Sequence, residues 1–310
     1  MSITSPNGTP MSTFTFGTMQ FGDRADAAES QAMFDASRAA GITHFDTAYV
    51  YTDGASETLL GDFAAPARDD LIIATKVGYT GGAGRANMVA QFDISRQRLK
   101  MDMVDILYLH RFDPNTDLRE TLDTFATLKS EGKIRYVGLS NFAAWQVMKA
   151  VRIAHEFDLA IDILQPMYNL VKRQAEVEIF PMAQDQGIAL APYSPLGGGL
   201  LTGKYAKGGT GRLTEDSRYN ARYGQDWMRQ CAARLSELAE SRNVDPSSLA
   251  VAWAAAHPSA PHPILSARSA EQLAPSLAAA EIDMTPELYA EIEALSQRPA
   301  PATDRLEEAK

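Results

Sequence analysis

The chain has 310 residues, 45% of them hydrophobic, which is enough apolar material for one large core or two modest ones. Its formal net charge of −10, with 29 scattered Lys and Arg, leaves no basic field to attract nucleic acid or an anionic membrane surface, so neither is an expected partner. The lone cysteine, Cys231, excludes an intrachain disulfide and any multi-thiolate metal site and fits a reducing compartment. With no leader-like start and no apolar run near the roughly 18 residues of a spanning helix, a cytoplasmic location is expected.

In chain order, short runs rich in Val, Ile, Leu and Tyr alternate with stretches of helical period. Strands are expected over 13–17, 42–46, 71–76, 104–110, 134–140, 163–167, 188–193 and 263–266. Helices are expected over 26–40, 87–101, 118–131, 144–157, 176–186 and 225–243, each ending near a Gly, Asn or Asp stop, and a terminal helix near 285–295. Residues 204–225 read as a long loop. Eight strand–helix units in succession predict an α/β fold, a single-domain (β/α)₈ barrel over residues 11–298, with flexible tails at 1–10 and 299–310.

Polar residues recur at one end of these strands. Asp46, Lys76, His110, Ser140 with Asn141, Gln165, and Tyr193 with Ser194 each stand at or just past the C-terminal end of a different apolar run. In a closed barrel that end is one face, so these residues converge; a doubly wound sheet would spread them along an edge. Singly, Asp46 reads as a loop cap, Tyr51 as packing, Lys76 as a snorkelling amine and His110 as a core histidine. Jointly they form an acid–base set. A free phenol titrates near pH 10, about three units above neutrality, and an ammonium beside it, held by a carboxylate, would lower that value and make Tyr51 a general acid or base.

The segments FDTAYVY (45–51), ATKVG (74–78) and LYLHRFDP (107–114) resemble the catalytic-tetrad motifs of the aldo-keto reductase superfamily. The similarity continues through GKIRYVGLSNF (132–142), LQPMYNL (164–170), APYSPLGGGLLTGKY (191–205) and SARSAEQL (266–273). The FGTMQFG start and the 218–223 loop look most like the aryl-alcohol dehydrogenase and aflatoxin-aldehyde reductase branch. The resemblance implies hydride delivery from a reduced nicotinamide to an aldehyde or ketone, with Tyr51 protonating the oxygen, Lys76 and Asp46 tuning it, and His110 orienting the carbonyl; no metal is required. It also implies that Ser140, Asn141 and Gln165 hold the carboxamide and that Tyr193 stacks on the ring. Thr18, Met19 and Asp46 would flank the cofactor, and Ser194, Pro195, Leu196, Gly198, Leu200, Lys204 and Arg212 would clamp its pyrophosphate region. Ser266, Arg268 and Gln272 would grip the adenosine phosphate, with Ser276 a further cofactor contact. Arg268 favours NADPH, with NADH as the alternative, since a guanidinium suits a 2′-phosphate. The family's Glu-Asn pair against adenine is replaced here by Pro275 and Ser276.

Rival readings fare less well. GGLLTGK (198–204) has the glycines and lysine of a phosphate-binding P-loop, but Tyr205 stands where Ser or Thr would ligate magnesium. GGAGRAN (81–87) lacks the third glycine of a dinucleotide-binding Rossmann turn. His44 and Asp46, with His110 or His155, form a weak two-histidine, one-carboxylate pattern; His44 is expected on the inward face one layer below Asp46, hydrogen-bonded in the core, and His257 and His262 in a loop. A non-enzymatic alternative is a redox-sensing subunit of the potassium-channel β type, which shares this fold and cofactor site. Aromatic and apolar side chains at Met19, Phe21, Val50, Tyr79, Tyr219, Tyr223 and Trp227 are candidate walls for a small-molecule carbonyl substrate. Its identity and the oligomeric state, a homo-oligomer included, are left open by the sequence.

Overall fold

The computed structural model describes residues 2–205 and 208–308. Its frame is eight parallel strands in sequence order: β1 (Thr15–Gly17), β2 (His44–Asp46), β3 (Ile72–Val77), β4 (Val104–Leu109), β5 (Ile134–Ser140), β6 (Ile163–Gln165), β7 (Ala189–Leu190) and β8 (Ile264–Leu265). From β1 to β7 each pairs with its neighbour in sequence, and β1 also pairs with β8. The ring closes where His262 N donates to Leu190 O at 2.7 Å and Ile264 N to Pro192 O at 2.9 Å. All eight expected strands are present, and several are shorter than the sequence suggests. Pro192, which has no N–H to donate, cuts regular β7 pairing short, although Tyr193 N still reaches Pro166 O at 2.9 Å.

Around the strands lie α1 (Ala27–Ala39), α2 (Ala55–Ala64), α3 (Arg85–Leu99), α4 (Leu118–Ser130), α5 (Ala144–Ala154), α6 (Ile179–Gln186), α7 (Arg212–Glu215), α8 (Ser217–Tyr223), α9 (Asp226–Ser241), α10 (Pro246–Ala255), α11 (Ala270–Leu277) and α12 (Pro286–Glu293). Acidic or hydroxyl side chains start many of them: Asp26, Asp117, Asp216, Asp245, Ser269 and Thr285 each accept from a first-turn N–H. Several helices depart from the sequence reading, which named none at α2, α10 or α11. The 204–225 connection folds into α7 and α8 rather than a plain loop. Helix α10, unanticipated, is buried over Ser247–Ala254, so it lacks the polar face that marks a surface helix.

Alternation along the strands divides the apolar residues into two layers. Ile72, Ala74, Ile106, Tyr108, Ile163 and Ile264 fill the barrel interior, while Phe45, Ile73, Leu107, Leu109, Val137 and Leu164 face the helices. Residues 2–10 are not a free arm. Thr4 and Pro10 form an antiparallel bridge, Ile3 joins the interior cluster, and Arg135 donates to Thr4 O at 2.6 Å. Burying Ile3 and satisfying the Thr4 carbonyl docks the segment across the barrel floor. The far tail, 299–308, is mostly exposed and holds one short 3₁₀ turn, Leu306–Glu308. Among the described residues no helix is long and apolar enough to cross a membrane.

Candidate active site

Asp46 ends β2 and Lys76 lies on β3, where parallel registry sets Asp46 opposite Ala74 and Lys76 opposite Tyr108. The Lys76 ammonium, fully buried, is hydrogen-bonded to the Asp46 carboxylate, to Thr47 O at 2.7 Å and to Tyr51 Oη at 3.4 Å. Its three donors thus have three acceptors. Gln165 Nε2 donates to the second Asp46 oxygen at 2.9 Å, tying β6 into the cluster. Room for this layer comes from Gly138, where a Cβ would lie 2.2 Å from the Tyr108 ring, itself packed beneath Lys76.

The loop carrying Tyr51 is tightly bound. Thr52 and Asp53 adopt left-handed conformations, φ 47° and 52°, and Thr52 Oγ1 both donates to Phe21 O and accepts from Ser56 N, each at 2.9 Å. Arg98 stacks on Tyr49, donates to its carbonyl at 2.9 Å and pairs with buried Glu57, which also accepts from Thr75 Oγ1 at 2.6 Å. Strained backbone persists only when its surroundings fix it. Glu57 and Arg98 are positioning residues that the sequence reading missed; an inward Glu three residues past a turn resembles an ordinary helix start.

His110 follows β4, its ring 5.9 Å from Tyr51 at 85° and 4.9 Å from Tyr79. Its buried Nδ1 has no hydrogen-bond partner among the described residues. An unpaired buried N–H is rarer than an unpaired acceptor, which favours the neutral tautomer with its proton on Nε2. Burial, with Lys76 and Arg111 adding to it, pushes the imidazole down to about 3. Burial disfavours the charge of Lys76, but Asp46 and Tyr51 outweigh it and hold the ammonium well protonated. The Asp46 carboxyl is raised by burial against the opposing Lys76 and Gln165 bonds. Tyr51 corrects the sequence expectation: burial raises its phenol above the usual value by more than Lys76 lowers it.

Tyr51 and His110 open onto a cavity of about 740 Å³ at the C-terminal end of the strands. Ser140, Asn141, Gln165 and Tyr193 line one part, with Asn141 in a left-handed conformation and its Oδ1 accepting from Tyr193 Oη at 2.7 Å. Ser194, Pro195, Leu196, Gly198 and Lys204 also line the cavity, as do Ser266, Arg268, Gln272, Ser276 and Met19. Thr18 and Leu200 do not. Thr18 is buried, hydrogen-bonded to Asp46 O and Ser56 Oγ, and Leu200 packs in the core. Both lie beside lining residues, but their side chains are turned into the scaffold. The Arg212 side chain falls outside the described residues.

Of the candidate substrate walls, Met19, Val50, Tyr79 and Tyr219 line the cavity, whereas Phe21 and Tyr223 are core residues and Trp227 Nε1 donates to Gln225. The sequence reading missed Gln20, Arg111, Thr202, Arg222, Asp245 and Ser247 on the wall. Arg111 was within reach, since it follows His110; Arg222 depends on the unanticipated α8. His44 lies below Asp46 as expected, its Nδ1 2.8 Å from Thr15 Oγ1. His257 lies in the loop after α10, as expected, and packs its ring against Phe180 and Tyr168.

A buried lysine–carboxylate pair behind a phenol, with a neutral imidazole beside it at the mouth of a (β/α)₈ barrel, defines an acid–base site facing a large cavity. Residues 13–297 match the aldo/keto reductase family, and the chain belongs to it. It is 32% identical to a probable voltage-gated potassium channel subunit beta of Oryza sativa subsp. japonica, over 94% of each chain. It is 33% identical to the L-glyceraldehyde 3-phosphate reductase of Escherichia coli O157:H7, over 75% of this chain and 73% of the other. With aflatoxin B1 aldehyde reductase member 2 of Homo sapiens the identity is 39%, over 61% of this chain and 54% of that protein.

Proposed function

We propose that this protein reduces aldehydes or ketones to alcohols, reversibly, with NADPH. The observation that carries this reading is the Asp46–Lys76–Tyr51 chain meeting neutral His110 at the cavity wall. The residues present fit a nicotinamide dinucleotide. Gly198 and Gly199 line the cavity at φ 65° and 95°, presenting side-chain-free backbone, with Lys204 and Arg268 as cations on the same wall.

When bound, the cofactor supplies the hydride. Ser140, Asn141 and Gln165 present neutral polar groups for its carboxamide, Tyr193 a ring face, and Ser194, Pro195, Leu196, Gly198 and Lys204 a pyrophosphate cradle. Ser266, Arg268, Gln272 and Ser276 face the adenosine phosphate. His110 Nε2–H donates to the carbonyl oxygen and fixes its direction. Tyr51 transfers its proton to that oxygen, and Lys76, held by Asp46, stabilises the phenolate left behind. In the reverse direction the phenolate accepts the alcohol proton.

The likeness to a channel β subunit supports a second reading, a cofactor-binding redox sensor with little turnover. NADPH absorbance followed across a panel of carbonyl compounds separates the two: steady consumption supports the reductase, while tight cofactor binding with no consumption overturns it.

A further inference from the structure

The chain carries net charge −10, yet cations dominate the wall of this cavity. Its two carboxylates are engaged, Asp46 by Lys76 and Gln165, and Asp245 by the Ser247 N–H at the start of α10. Lys204 and Arg268 fall within the part assigned to the cofactor. Arg111 and Arg222 do not.

Arg111 lies 4.6 Å over the Tyr79 ring, and that ring lies 4.9 Å from His110, so a guanidinium, a phenol and the catalytic imidazole form a short stack leading from the rim inward. Arg222, on α8, lies 5.4 Å over the ring of Tyr219, whose phenol is near enough to Tyr51 and Tyr193 to act on both electrostatically. Arg222 and Tyr219 line the same cavity as Tyr51 and Tyr193. Among the described residues neither guanidinium forms an ion pair or hydrogen bond. Stacking on an aromatic face orients a guanidinium and leaves its in-plane N–H donors available.

We propose that the carbonyl substrate carries an anionic group, a carboxylate or a phosphate, which Arg111 and Arg222 bind while the carbonyl meets Tyr51 and His110. The inference rests on the reductase reading and names its substrate class. A planar guanidinium matches either oxyanion in bidentate fashion, and the spacing of the stack suits an anion some bonds removed from the carbonyl. Arg111 is exposed and solvent-screened, so its own contribution is modest, roughly twofold to fivefold in affinity.

The test compares matched pairs: 4-formylbenzoate against its methyl ester, and glyceraldehyde 3-phosphate against glyceraldehyde. Both kcat/KM and calorimetric binding in the presence of NADP⁺ are measured. The expected result is a preference of about tenfold or more for the charged member of at least one pair, carried mainly by KM. The pair that shows it identifies carboxylate or phosphate. Arg111→Gln and Arg222→Gln should each reduce that charged-to-neutral ratio toward unity, and Arg111→Lys should restore part of it. Turnover of the neutral members with no preference for the charged ones overturns this inference and leaves the reductase standing. Selective, arginine-dependent binding without turnover supports the anion site and sinks the reductase reading. Neither turnover nor selective binding overturns both.

Discussion

The Lys76 ammonium lies 3.4 Å from the Tyr51 phenol oxygen and 2.7 Å from the Thr47 carbonyl, so the bond to the phenol is the longer of the two. The amine is seated by the backbone and Asp46 first. It is therefore already in place when Tyr51 changes charge.

Tyr51→Phe removes the proton donor and keeps the ring. Carbonyl reduction should fall by roughly 10²–10⁴ in kcat, the usual worth of a positioned acid. NADPH affinity, followed by fluorescence titration, should stay close to wild type. Near-full activity in the variant would refute the assigned role.

The pH dependence follows from Tyr51 having its phenol raised by burial and partly lowered by Lys76. Reduction needs the protonated phenol and is lost as pH rises through its pKa; alcohol oxidation needs the phenolate and is gained there. Removing the ammonium in Lys76→Met should move the oxidation limb to higher pH by roughly 1–3 units. The variant should also be less stable by about 3–5 kcal/mol, because Asp46 is left buried without its cation. An oxidation limb unchanged in a folded Lys76→Met protein contradicts the scheme.

His44 and His110 are both pushed down to about 3, in each case chiefly by burial. The unfolded chain protonates its histidines near 6.5, so between about 6.5 and 3 unfolding takes up protons. The stability from these neutral rings is complete above about 6.5 and declines as pH falls through that window, by up to about 1.4 kcal/mol per pH unit for each ring. Urea unfolding at pH 7 and 5 should show a shallower decline for His44→Asn than for wild type; equal declines would count against it. The kcat profile should show no inflection near 6.5.

Arg268 lines the cavity, its Nη2 3.7 Å from Glu215. Arg268→Ala should weaken NADPH by about 1.5–3 kcal/mol, the range for hydrogen bonds to a charged group, and NADH by much less. Equal losses for both cofactors would remove the 2′-phosphate from the reading.

What the sequence made legible was whatever periodicity and position encode. Eight apolar runs of strand length, six of them with polar side chains at or near their C-terminal ends, sufficed to place Asp46, Lys76, His110 and Gln165 on one face, because a parallel barrel aligns all its strand ends. Hidden features depended on long-range contacts. Ile3 is a single apolar residue in a polar stretch, and only the barrel floor gives it a seat. The Ala-rich α10 has no polar stripe by which to be recognised. Thr18 and Leu200 sit within motifs that line the cleft, and only the local hydrogen bonds and packing reveal that they turn away. The balance at Tyr51 between burial and an ammonium is equally invisible until depth is known.

The barrel also separates reactivity from choice of reactant. Asp46 and Lys76 belong to ladder strands bonded on both flanks, whereas Val50, Tyr79, Tyr219 and Arg222 ride on connections and short helices above them. Replacing an upper connection can therefore alter which molecule enters without retuning the proton donor. Descendants of such a scaffold are free to diversify in diet while inheriting the same chemistry.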